Sequence, residues 1–154
     1  MPKAQPDPDW MEVVKRRVRA HIARWTPLLG LSEWDIDVQW KPGGEADSGS
    51  DFGTMLQVEA KWEYMSASID VYCSAVRHAD DDALEDFVVH ELMHCIVNEM
   101  RECATEFTDK DVKHEERVVS ILTSAVLAVR RDAMERGVRK GRRLAAMRKR
   151  RAKR

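Results

Sequence analysis

The stretch HADDDALEDFVVHELMHCIV, residues 78–97, decides the fold class, because the hydrophobic period changes across it. Upstream of it apolar residues alternate. From Leu84 onward, Leu84, Phe87, Val88, Leu92, Ile96 and Met100 recur at intervals of three and four, the repeat of a helix. Asp80, Asp81 and Asp82 supply a cap and favourable charge at the N-terminus of that helix. The same helix carries His90 and His94, four residues apart, with Glu91 directly after the first. Residues i and i+4 stack one turn apart, so both imidazoles can face a single point, while Glu91 lies about 100° round the helix.

Towards the N-terminus, WDIDVQW (34–40) puts Trp34, Ile36, Val38 and Trp40 on one face, as in a half-buried strand. KPGGEADSGSDFG (41–53) reads as a loop. TMLQVEAKWEY (54–64) and SASIDVYCSAV (66–76) read as two further strands in a hairpin or meander turning near Met65 and Ser66. Before them, DWMEVVKRRVRAHIARWTPLLGL (9–31) has helical spacing, with Asp7 or Asp9 as N-cap and Pro27 and Gly30 closing it. Beyond 97, ATEFTDKD (104–111) breaks the pattern, and Thr108 with Asp111 forms a capping box for a last helix that grades into RKGRRLAAMRKRRAKR (139–154). The expected fold is α+β: an N-terminal helix, a small mostly antiparallel sheet, the histidine-bearing helix and a long C-terminal helix.

The 154 residues are 44% hydrophobic and 34% charged, the composition of one globular domain with a highly charged surface. No apolar run approaches the roughly 18 residues of a membrane span, and the first ten residues contain no apolar signal core. Cys73, Cys95 and Cys103 form no C-x-x-C pair and leave an odd one over, which favours reduced thiols and a cytoplasmic setting without a membrane partner. The net charge of −1 hides a split: residues 130–154 hold 13 of the 26 Lys and Arg against Asp132 and Glu135, a net +11, leaving −12 in residues 1–129. The division expected is therefore a domain over 1–129 and a basic helical extension over 130–154, which can contact nucleic acid non-specifically through phosphates.

His-Glu-x-x-His on a helix is the spacing that a zinc hydrolase needs: two ligands, and a carboxylate to take a proton from a metal-activated water. The plain alternative is a pair of partly buried histidines bonded to backbone or carboxylates. A catalytic zinc wants a third protein ligand. The extended metzincin pattern would place Gly and His at 97 and 100, where Val97 and Met100 stand, so that class is excluded. The remaining candidates are His114, Glu115 and Glu116. On the last helix Val118, Val119, Leu122, Val126 and Val129 cluster on one side, and Glu115 falls near the middle of that arc. A carboxylate aimed into a core is costly unless paired or metal-bound, so Glu115 is the expected third ligand; an ion pair with Arg77 or Arg101 is the bland alternative. Tyr64, Tyr72 and His78 are candidates for stabilising an oxyanion. The five tryptophans read as core, and Cys95 as a small buried apolar residue.

His-Glu-x-x-His followed by Glu115-x-x-Val118 resembles the gluzincin metallopeptidases. More narrowly, LGLSEWDIDVQW (29–40), ASIDVY (67–72), VVHELMH (88–94) and HEERVV (114–119) resemble small phage and prophage metallopeptidases of minimal gluzincin type, over roughly residues 29–129. The resemblance implies His90, His94 and Glu115 as Zn2+ ligands, Glu91 as general base, a protein or peptide substrate, and the host cytoplasm if phage-encoded. Many gluzincins carry an acidic residue four positions after the ligand glutamate, bracing a histidine; here that position is Val119, so bracing must come from elsewhere. Two rivals are a non-catalytic metal-stabilised protein with a nucleic-acid-binding tail, and a SprT-like protease acting on DNA-bound protein, whose third-ligand segment is missing here. Glu91 favours catalysis, because a structural site has no use for a glutamate beside the metal.

Overall fold

A computed structural model describes residues 9–41, 55–102 and 108–151. Helix α1 (Asp9–Leu28) leads to strand β1 (Asp35–Lys41). Strand β2 (Leu56–Lys61), a 3-10 turn (Trp62–Tyr64) and strand β3 (Ser66–Tyr72) follow. A single helical turn, α2 (Cys73–Val76), precedes α3 (Asp81–Glu102) and α4 (Asp109–Arg151). The expected α+β architecture is what the chain adopts. Asp7 and Cys103, and most of the 41–53 loop, lie outside the described residues.

The sheet is mixed, in the order β1-β3-β2, rather than mostly antiparallel. β2 and β3 form the expected antiparallel hairpin, with Met65 in the left-handed region at φ 44°. β1 runs parallel to β3, Ile36 opposite Ala67 and Trp40 opposite Val71. β3 takes the centre because it is the most apolar of the three: Ala67, Ile69 and Val71 are buried.

Local signals set the helix ends. Asp80 Oδ1 accepts the Ala83 amide at 2.8 Å and caps α3. The Asp111 carboxylate accepts the Thr108 amide at 2.9 Å and its hydroxyl at 2.6 Å, closing the start of α4. At the end of α1, Gly30 at φ +75° lets the Leu31 amide reach back to the Thr26 carbonyl, and Leu31 is buried there.

One face of the sheet and the inner sides of α1 and α3 enclose the core around Val14, Val18, Trp25, Ile69, Leu84, Val88 and Leu92. Trp10, Trp34 and Trp40 pack half-buried against it, while Trp62 lies at its margin. Within this core Glu85 is buried and ties three helices together. It accepts the Trp25 indole N–H at 2.9 Å and pairs with Arg130 of α4 and, at 3.4 Å, Arg24 of α1. Arg130 also lies over the Trp25 ring. Burial alone would raise the Glu85 pKa, but the indole hydrogen bond and Arg130 outweigh it and hold the carboxyl below its usual range. Its contribution to stability is therefore complete above the ordinary carboxyl pKa and lost as pH falls. Glu85→Ala is expected to lower the unfolding free energy by about 3 kcal/mol, because it strands a partly buried guanidinium and an indole donor. Urea denaturation measures it, and a loss under about 1 kcal/mol would remove Glu85 as the anchor of α4.

Candidate metal centre

α3 packs against both α4 and β2. Between them lies a cleft of roughly 700 Å³ whose walls include Leu56 and Val58 of β2, His90, Glu91 and His94 of α3, and Glu116 of α4. His90 and His94 share a face as their spacing requires, their rings 5.1 Å apart and nearly edge to face.

Both imidazoles turn Nε2 towards the same carboxylate. His90 Nε2 lies 3.3 Å from Glu116 Oε2 and His94 Nε2 lies 3.3 Å from Glu116 Oε1. His90, His94 and Glu116 each offer a ligand atom, all within 4.8 Å of one another, so this group can hold a metal ion. Glu115 is placed differently from the ligand role its periodicity suggests. Its side chain is only 13% exposed, and Oε1 sits 2.8 Å from His94 Nδ1, on the far side of the ring from Nε2. His114 is exposed and outside the cleft lining. Arg77, one alternative partner for Glu115, lies over the Trp10 ring instead.

Glu91 lines the same cleft, where a hydrogen bond from the Val58 backbone favours its charged form. Burial first, and Glu116 second, push its pKa up to about 8. Burial and the neighbouring His94 hold the His90 pKa down, against the pull of Glu116 and Asp86, which keeps that imidazole in the neutral form a metal requires. Three carboxylates and two imidazoles thus line one cleft. Nitrogen and carboxylate donors at this number and spacing suit Zn2+.

Burial pushes the Cys95 thiol up to about 12, with Glu91 adding to it, so Cys95 is a buried thiol rather than a thiolate ligand. Tyr64, Tyr72 and His78 are absent from the cleft lining, and Tyr64 and His78 are exposed. The SASIDVY strand is β3 at the sheet centre, engaged on both sides, and it is β2 that borders the cleft. Two contributors were not singled out from sequence. The Val58 amide carries no side-chain signal at all. Asn98 does: it is a buried polar residue one turn beyond His94, and its Oδ1 accepts the Trp62 amide at 3.1 Å, fastening the end of β2 to α3.

Compared with protein-family models, curated proteins and solved structures, the chain has no significant match. Among the described residues, no helix is long and apolar enough to cross a membrane.

Proposed function

We propose that this chain is a zinc-dependent metallopeptidase of His-Glu-x-x-His type, with His90, His94 and Glu116 as metal ligands. The observation that carries the reading is the convergence of three donors within 4.8 Å in a cleft that Glu91, half-buried, also lines. A zinc ion held by these residues would supply Lewis acidity, lowering the pKa of a water towards 7 and polarising a carbonyl. Three protein ligands among the described residues is the number typical of catalytic rather than structural zinc sites.

The remaining chemistry belongs to the protein. Glu91 accepts the water proton and delivers it to the leaving amine, and a carboxyl with a pKa near neutrality suits both transfers. Glu115 takes the bracing role that Val119 cannot fill: through Nδ1 it fixes the ring orientation and tautomer of His94. Glu116 stands about half exposed at the cleft mouth. Substrate binding falls to β2. Among the described residues it pairs with β3 alone, and Leu56, Gln57 and Val58 line the cleft, which supports addition of an extended peptide as a further strand.

The test is a peptide-library digest read by mass spectrometry. The zinc-loaded protein is expected to cut, chelation to stop it, and added zinc to restore it. Zinc-loaded protein that leaves the library intact contradicts the peptidase reading.

A further inference from the structure

Helix α4 crosses residue 130 without a break, but its surroundings change there. Up to Arg130 its inner side meets the body through Val119, Thr123 and Leu127; from Arg131 to Ala145 every side chain is exposed. The helical backbone continues to Arg151, so the portion beyond the Glu85 anchor is 21 residues, about 30 Å, long. A continuous helix held at Arg130 cannot turn back to neutralise the acidic body. This excludes the tail as a shield folded over the cleft.

The charges on this arm are ordered. On helical geometry Arg131, Arg136, Arg139, Lys140, Arg142 and Arg143 spread over about half of the circumference. Its two acids are taken up by surface pairs, Asp132 with Arg136 and Glu135 with Arg139, each of which contributes little to stability. On the opposite side Met134, Val138, Gly141 and Ala145 form a narrow stripe. At Gly137 and Gly141 an added Cβ would meet nothing within 4 Å, so no packing within this chain calls for either glycine.

We propose that this projecting helix is a docking arm for duplex DNA, bound through its phosphates without sequence preference. Charge complementarity carries the choice. Duplex DNA presents one negative charge per roughly 1.7 Å of axis, and its major groove, about 12 Å wide, admits a bare α-helix. A membrane surface fits less well: the apolar stripe is narrow, contains two glycine-interrupted turns nearby, and residues 130–154 hold no aromatic residue. A second copy fits less well still, since two such basic helices repel each other. The arm stands independently of the metal centre and does not require the peptidase reading.

Fluorescence anisotropy of a labelled 24-base-pair DNA duplex with the full chain tests it, against the variant R139Q/K140Q/R142Q/R143Q. Its four positions are exposed and distant from the cleft, so zinc content and melting temperature should match the wild type. The expected wild-type Kd is micromolar or tighter at about 50 mM salt, weakening steeply as salt rises. The variant should bind at least about 30-fold more weakly, and its log–log salt slope should flatten by roughly 3–4, near 0.9 for each phosphate that is no longer neutralised. An RNA duplex of the same length should bind more weakly, because its deep, narrow major groove excludes a helix. No binding at low salt, equal binding by the variant, or tighter binding to RNA, anionic vesicles or a polyglutamate peptide would each overturn the assignment.

Discussion

Glu91→Gln is expected to cut peptide hydrolysis by about 10³-fold while zinc stays bound, since general acid–base catalysis contributes on that order and the three donors are untouched. The same substitution should make the chelated protein more stable. The Glu91 pKa stands at about 8 in the fold against an ordinary 4.5, so the folded chain holds its proton more tightly than the unfolded chain does. Stability of the chelated protein therefore declines as pH rises from about 4.5 towards 8, and by pH 7 the cost is about 3 kcal/mol. Glutamine keeps an acceptor for the Val58 amide and carries no charge, so E91Q should recover most of that loss and flatten the pH dependence. Stability and catalysis then move in opposite directions through one carboxyl, as expected of a group placed for chemistry. Urea titrations at pH 5 and pH 8, paired with turnover measurements, check both halves. Parallel pH profiles for the two proteins would remove Glu91 as a buried ionising group.

Glu116→Gln and Glu115→Ala are expected to separate cleanly. Loss of Glu116 removes a donor from the three-member group and should weaken zinc by well over the 10–100-fold typical of an outer partner. Loss of Glu115 leaves all three donors in place but frees His94 Nδ1, so zinc should weaken only within that 10–100-fold range. Competition with a chromophoric chelator reads both affinities on one scale. The reverse ranking, with zinc lost from the Glu115 variant and retained in the Glu116 variant, would exchange the two roles.

Much of the fold was legible because its signals are local. The Asp80 cap, the Thr108–Asp111 box and the hairpin turn at Met65 depend on residues a few positions apart, and all three form. The parallel pairing of β1 with β3 was not legible, because it depends on which strand takes the centre of the sheet, which alternation does not encode.

The buried side of α4 shows the limit of periodicity. Counting apolar residues on α4 centres its buried side among Val118, Val119, Leu122, Val126 and Val129. In the structure Leu122 is 37% and Val129 68% exposed, while Thr123 and Leu127 are buried. The contact line is rotated by roughly 60° on helical geometry, so that Glu115 and Glu116 flank it from either side. Both carboxylates therefore reach α3, one at each ring nitrogen of His94. Tertiary packing decided this by accepting a buried threonine and leaving two large aliphatic side chains in water, a choice that composition alone does not contain. His90, Glu91 and His94 needed no such information, since their geometry is fixed within a turn and a half of one helix.

The most direct test is elemental analysis of zinc in the full chain, purified without a metal-binding tag, saturated with zinc and dialysed. The account predicts one zinc per chain. A chain that retains none under these conditions would contradict the metal centre, and with it the peptidase, while leaving the basic arm to be judged on its own binding data.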